Sequence, residues 1–359
     1  MKAILIILGV IIGILLVACA FVYKKWQRAD YLTADMFQAN AANTIPVAKV
    51  SRLDEDPDKN PNAKYDDGII TYNGEKYKYN DNLINILVMG IDDYDLIDKA
   101  NDINPYQADT LVLGTVDAVK KKVSFMSIPR DTVTTIKVLD LNDKVATKRK
   151  GPIAIQHSYG TQGEKTNEAV TETVSELLYN VPIYRYVALD ISAIPAINDS
   201  LGGITVDIPE DLTKWNLNMT AGTKNYLLKG EDAVIFVARR DTSIDDSAIG
   251  RMTRQVQYLK KLFPAFKEKT KQNITYPITL YNEQADKVST NLTIDEMTYL
   301  AKLLLDLDLD ENAITSVPGE MRRIEPGEIE DYEYEMGYIV DEDALKQLII
   351  DRFYTKEEQ

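Results

Sequence analysis

Three short apolar runs between Ile86 and Thr132 constrain this chain more than any other stretch of its 359 residues. They are Ile86-Leu-Val-Met-Gly-Ile-Asp92, Ala108-Asp-Thr-Leu-Val-Leu-Gly-Thr-Val116 and Val123-Ser-Phe-Met-Ser-Ile-Pro-Arg-Asp-Thr132. Each is rich in Val, Leu and Ile and bounded by Gly, Asp or Pro, the pattern of buried strands. A short Lys-rich turn joins the second run to the third, so that pair must be antiparallel and the sheet mixed. Pro129 lacks a backbone donor and biases Ile128 toward an extended conformation, which puts Arg130 and Asp131 in a loop just past a strand end. If the strands are neighbours, Asp92, Asp109 and Arg130 meet at one edge of the sheet, where layered α/β folds bind ligands. Any one of the three is also an ordinary turn residue.

The remaining pattern alternates. Helices are predicted over Pro152–Tyr159, Glu164–Leu178, Ile191–Asn198, Gly230–Val237, Ser247–Phe266, Thr293–Leu305 and Asp341–Phe353. Strands are predicted over Ile183–Leu189, Ile204–Ile208 and Ala313–Val317, with a turn at Leu201-Gly-Gly203. This predicts an α/β fold, a layered α-β-α domain with a mixed central sheet, preceded by one N-terminal transmembrane helix. The domain spans 81–359, with its core at 83–263 and a C-terminal completion at 264–359. Residues 24–80 are predicted as a membrane-proximal stalk or accessory segment, with turn-and-strand character around Asn73-Gly74.

Residues 1–23 contain an uncharged run, Ala3 to Tyr23, which as a helix rising about 1.5 Å per residue can cross a hydrocarbon layer about 30 Å thick. The simplest reading is an uncleaved signal anchor. Leu16-Val-Ala-Cys19 also resembles a lipobox, although the apolar run continues past Cys19; both readings tether the body to a membrane. Lys24, Lys25 and Arg28 follow the run, and by the positive-inside rule they argue for a cytoplasmic position, so charge leaves orientation open. With one Cys and one His, the chain can form no internal disulfide and no Cys- or His-based metal cluster; a metal must be held mainly by oxygen. A net charge of −15 excludes a broad nucleic-acid-binding surface.

Asp92 and Asp109 carry hard oxygen ligands suited to Mg²⁺ (or Mn²⁺), which takes one or two carboxylates and completes its shell with phosphate oxygens and water. Arg130, Arg240, Arg251 and Arg254 offer planar bidentate donors for phosphate. In the helix near residue 250, Ile249, Met252, Val256, Leu259 and Phe263 make one apolar stripe, and Arg251, Arg254 and Gln255 share the neighbouring face. Such an arginine pair is also the composition of a solvated face. Arg239 and Arg240 close the preceding apolar helix and extend the positive cluster if the two helices pack. A divalent ion with several arginines is the equipment a pyrophosphate-bearing substrate requires. His157 is read as a hydrogen-bonding residue rather than a catalytic base.

These residues carry a resemblance to the LytR-CpsA-Psr family of bacterial cell-envelope phosphotransferases. Its carriers are Asn85-Ile-Leu-Val-Met-Gly-Ile-Asp92, Ala108-Asp-Thr110, Ser127-Ile-Pro-Arg-Asp-Thr132, Leu201-Gly-Gly-Ile204, Ala221-Gly222 before Leu228-Lys-Gly230, and Gly250-Arg-Met-Thr-Arg-Gln255. The resemblance implies metal-binding aspartates at Asp92 and Asp109, a pyrophosphate-binding arginine at Arg130, and further pyrophosphate contacts from Arg240, Arg251, Arg254 and Gln255. The family's Arg-x-Arg is Ala238-Arg-Arg240 here, which makes Arg239 the candidate for the absent arginine, and Gln156-His-Ser-Tyr-Gly-Thr161 also departs from the usual stretch.

The resemblance further implies a cell-membrane protein with its N-terminus cytoplasmic and its catalytic domain extracellular. That domain would hold an apolar tunnel for a polyprenyl chain. The implied partners are a polyprenyl-pyrophosphate-linked glycopolymer and a peptidoglycan acceptor. The implied reaction transfers the glycopolymer with its phosphate to a muramic acid 6-hydroxyl and releases undecaprenyl phosphate, with Asp131 or a metal-associated aspartate as general base. A membrane-bound regulator and a pyrophosphatase-like hydrolase of the same lipid are the alternatives.

Overall fold

The computed structural model describes residues 69–91, 106–140, 142–159, 164–241, 243 and 247–357. The expected anchor, most of the stalk and Asp92 lie outside the described residues. Among those that are described, no helix is long and apolar enough to cross a membrane.

The first elements are β1 (Ile69–Tyr72) and β2 (Glu75–Tyr79), a hairpin closed by Asn73-Gly74. Both turn residues have positive φ, 50° and 78°, as the tight hairpin turn demands. Then come β3 (Leu83–Ile91), β4 (Ala108–Asp117) and β5 (Lys122–Ile128), the three apolar runs. They are neighbours and both pairings are antiparallel. A hairpin of β6 (Val133–Leu139) and β7 (Val145–Pro152) leads into a 3-10 helix at Ile153–Tyr159, then α1 (Glu164–Leu177) and β8 (Arg185–Asp190). After α2 (Ile194–Ser200), β9 (Ile204–Val206) pairs with β10 (Tyr226–Leu228). The helices α3 (Glu231–Ala238), α4 (Ser247–Gln272) and α5 (Tyr276–Glu283) precede β11 (Val288–Thr290). The chain closes with α6 (Ile294–Asp306), β12 (Asp308–Ser316), the hairpin β13 (Gly319–Arg323) and β14 (Met336–Val340), α7 (Glu342–Phe353) and β15 (Tyr354–Lys356).

The central sheet has six strands in the order β11-β8-β3-β4-β5-β12, with β3–β8 and β5–β12 parallel and the rest antiparallel. Alternation along β3 explains the layering. Leu83, Leu87 and Met89 pack with Val170 and Val174 of α1 and Leu345 and Ile349 of α7. Ile84 and Ile86, on the opposite face, join Phe263 of α4 and Leu300 and Leu303 of α6. Side chains two apart share a face of a strand, so one apolar run serves both helical layers.

Several expectations change. Ile153–Tyr159 is a 3-10 rather than an α-helix, and α4 continues through Pro264 to Gln272 instead of stopping at Phe266. The hairpins β6–β7 and β13–β14 were not expected, since their strands are half polar and give little alternation. The stalk boundary expected near Asp81 meets continuous structure: β2 pairs with the C-terminal β15, and Tyr79 packs in the main core.

The Gly-Gly turn before β9 shows why those residues are glycines. Both have φ near 90°, but only at Gly203 would a Cβ stand 2.6 Å from the Leu228 carbonyl oxygen, while Gly202 faces open space. Gly203→Ala should therefore cost roughly 2–3 kcal/mol and Gly202→Ala about 1 kcal/mol, an ordering that thermal denaturation of the two variants will check.

Candidate functional site

The site lies where β3 and β5 end and β4 begins. Gly90 pairs with Thr110 but Ile91 pairs with Ala108, so the register slips and Asp109 has no partner on β3. A bulge of this kind re-aims one side chain. Across the edge, the Arg130-Asp131-Thr132 loop is held by its own backbone. Thr132 N–H and Oγ1 donate to the Pro129 carbonyl, Ala154 N–H to that of Arg130, Ile153 N–H to that of Thr132, and Tyr338 N–H to that of Asp131. Each carbonyl from Pro129 to Thr132 is thereby taken, which fixes the backbone from which both functional side chains project.

Arg130 donates through Nη1 to Asp109 Oδ1 and through Nη2 to Gln107 Oε1, while its Nε lies 3.4 Å from Asp131 Oδ1. Arg251 Nη1 approaches Asp109 Oδ2 at 3.5 Å. One carboxylate thus sits between two guanidinium groups at the wall of a cleft that Thr110, Ser127, Asp131, Gln255, Met321 and Tyr338 also line. Burial pushes the Arg251 guanidinium down to about 10; Asp109 opposes that shift, and Arg130 and Arg240 add to it. Arg251 therefore stays cationic at neutral pH, in a locally positive site that an anionic ligand would stabilise.

Gln255, one turn beyond Arg251 on α4, donates to Thr110 Oγ1 at 2.8 Å and to the Val237 carbonyl at 3.0 Å. Arg254 does not join it. At about 100° per residue, adjacent positions on a helix point in different directions. Arg254 is fully buried and donates through Nε to Glu210 and through its other nitrogens to the carbonyls of Ile235, Phe236 and Arg239. It holds the end of α3 and does not line the cleft. Glu210 also explains Gly250, where a Cβ would stand 2.7 Å from Glu210 Oε2. Arg240, half-buried, reaches Ser247 Oγ at 3.4 Å and Arg239 is exposed; neither lines the cleft.

Behind the cleft an open cavity of about 200 Å³ runs between the sheet and α4. Val88, Val112, Phe125, Leu189, Leu259 and Leu262 give it an apolar wall. Asp109, Thr110, Ser127, Arg251 and Gln255 line both spaces, so charged cleft and apolar cavity adjoin across one shared wall.

Comparison with known proteins places this geometry. The sequence pattern of the LytR_cpsA_psr family matches residues 47–349. The chain belongs to this family. A relative in Staphylococcus aureus (strain NCTC 8325 / PS 47), an uncharacterised protein, is 31% identical over 234 residues, covering 63% of this chain and 53% of that one. The polyisoprenyl-teichoic acid–peptidoglycan teichoic acid transferase TagV of Bacillus subtilis (strain 168) is 29% identical over 216 residues, covering 59% of this chain and 50% of its own. The chain thus spans about half the length of these curated relatives. The crystal structure of B. subtilis TagV superposes with a TM-score of 0.54 at 24% identity, covering 75% of this chain and 96% of that one, which establishes the same mixed α/β fold.

Within this LytR_cpsA_psr member, Asp109, Arg130, Asp131, Arg251 and Gln255 are brought together at the cleft, Arg240 stands near enough to Arg251 to repel it without lining the cleft, Arg239 and Arg254 do not line it, and Asp92 lies outside the described residues. Ala238, at the position of the absent arginine, lines the apolar cavity. Sequence reading missed Gln107, Thr110, Glu210 and Tyr338. Thr110 and Gln107 flank Asp109 and could have been found from that adjacency; Tyr338 reaches the site, and Glu210 its partner Arg254 beside it, only through folding. His157 is buried, with Nδ1 at 3.0 Å from the Tyr106 carbonyl and Nε2 at 3.2 Å from Asn167 Oδ1.

Proposed function

We propose that this chain transfers a glycopolymer with its phosphate from an undecaprenyl-pyrophosphate carrier to a peptidoglycan hydroxyl, leaving a phosphodiester link. One observation carries the reading: five residues line the charged cleft and the apolar cavity together. Such a junction suits an amphipathic ligand whose pyrophosphate adjoins a long apolar chain. The name of the TagV relative supports the same class of reaction. The body works at the outer face of the cell membrane, tethered through Ala3–Tyr23, with the N-terminus cytoplasmic.

Arg130 and Arg251 donate to the non-bridging pyrophosphate oxygens, whose charge grows as the bridge breaks. The acceptor oxygen attacks the sugar-proximal phosphorus and its proton passes to Asp131. The bond to the distal phosphate breaks and undecaprenyl phosphate leaves with the electron pair.

No three metal-ligating side chains gather among the described residues. Asp109 presents to the cleft, between Arg130 and Arg251, a hard oxygen donor of the kind Mg²⁺ or Mn²⁺ takes; Asp109 and Asp92, the latter outside the described residues, would hold the ion. When bound, the ion would supply neutralisation of pyrophosphate charge.

The test is reconstitution of the chain with lipid-linked pyrophosphoryl glycan and peptidoglycan fragments. Linked product is expected to form, and chelation should slow it by on the order of 10²-fold, reversed by added Mg²⁺. Free glycopolymer phosphate without linked product would replace transfer by hydrolysis. Turnover indifferent to chelation would remove the metal.

A further inference from the structure

We propose that Tyr332, Tyr334 and Tyr159, bridged by Arg149, form a stacking platform over which the acceptor glycan reaches Asp131; this rests on the transfer reading and adds its acceptor subsite. The platform is built across two hairpins joined to the reactive loop. Tyr338 N–H donates to the Asp131 carbonyl at 2.8 Å, and Tyr338 bridges to Thr132, so β14 lies directly beside the loop that carries Arg130. Tyr332 donates to the Met336 carbonyl at 2.8 Å. Its hydroxyl lies 2.9 Å from where a Cβ on Gly337 would stand, a point 2.6 Å from Val133 Cγ2, so only glycine lets the ring lie down beside the reactive loop.

The rings then run outward. Tyr332 and Tyr334 have centroids 5.3 Å apart at 56°, and Tyr334 is 37% exposed. Arg149 of β7 donates to Glu333 at 2.8 Å and to the Tyr159 hydroxyl at 3.2 Å, which ties Tyr159 to the same surface. Exposed aromatic faces take the C–H faces of pyranose rings, while phenol and guanidinium groups at their edges meet hydroxyl and acetamido oxygens. Burial and the neighbouring Asp131 push Tyr332 up to about 12, so its hydroxyl keeps its proton.

Charge selects between the two substrates. Glu325, Glu328, Glu330, Asp331, Glu333 and Glu335 lie between β13 and β14 beside Tyr332 and Tyr334 in sequence and are all exposed; Glu328, Glu333 and Glu335 pair with Arg322, Arg149 and Arg323, which leaves the segment net acidic. A phosphate-rich donor polymer is repelled there, whereas a neutral N-acetylated glycan is not.

The experiment titrates the full chain with chitotetraose, a neutral N-acetylated glycan, and in parallel with a glycerol-phosphate polymer. Tyr332→Ala/Tyr334→Ala is expected to weaken chitotetraose binding at least about tenfold, and Tyr334→Phe, which keeps the ring, should leave it within about twofold. In the transfer assay the double variant should raise KM for acceptor and leave KM for the lipid-linked donor unchanged. Absence of binding by the wild-type chain, an unchanged Kd in the double variant, or equal loss of glycerol-phosphate binding would overturn the proposal. Because titration needs no turnover, tyrosine-dependent glycan binding by a chain that makes no linked product would reject the transferase reading and keep the platform. The exposed Tyr334→Ala, made alone, provides the same measurement should the double variant unfold.

Discussion

Arg130→Ala should lower transfer by at least about 10³-fold, the scale seen when a charge-stabilising arginine is removed from phosphoryl transfer, while the melting temperature stays within a few degrees. The expectation follows from where the side chain sits. Its backbone is fixed by hydrogen bonds from Thr132 and Ala154 that do not involve the guanidinium. The guanidinium itself is spent on Asp109, Gln107 and Asp131 at the cleft wall. Removing it takes a cation from the pyrophosphate and leaves Asp109 facing the substrate with Arg251 as the remaining described counter-ion, which adds repulsion to lost attraction. Arg130→Lys should recover only part of the rate, because a point-charge ammonium cannot reproduce the fork that reaches two partners at once. Single-turnover rates with lipid-linked substrate, set beside thermal melts, will check this; wild-type transfer by Arg130→Ala would remove the site assignment.

Arg254→Ala is expected to behave in the opposite way. The side chain is fully buried and its donors go to Glu210 and to three carbonyls at the C-terminal end of α3. Burial depresses its pKa and Glu210 opposes the shift. Truncation removes a donor from each of these carbonyls, of which that of Ile235 keeps the Arg239 N–H, strands the Glu210 carboxylate and leaves a cavity against Phe236, a loss of about 3 kcal/mol. That corresponds to a fall in melting temperature of roughly 6–10 °C for a domain of this size. Any loss of transfer should track the loss of folded protein and vanish when rates are normalised to it. A melting temperature equal to wild type with transfer abolished would return Arg254 to the phosphate site.

The two arginines show how far a linear reading reaches. In sequence both belong to a Gly-Arg-x-x-Arg-Gln run and are chemically equal candidates. Which one meets the ligand depends on Glu210, 44 residues earlier, which captures Arg254 and leaves Arg251 and Gln255 facing the cleft. Local information cannot rank them, because helical periodicity gives relative directions around an axis but not which direction is occupied by a partner.

The strand trio was legible for a similar reason turned around. Buried strands need continuous apolar runs, an antiparallel pair needs only a short turn, and Pro129 must end a ladder; all three are properties of adjacent residues. The adjacency of β3, β4 and β5 and the loop position of Arg130 and Asp131 follow from them. The register slip that frees Asp109, the junction of charged cleft with apolar cavity, and the tyrosine-bearing hairpin docked on Asp131 do not. Each is set by contacts between segments far apart in the chain, whose free energies compete only once the sheet and its two helical layers have closed.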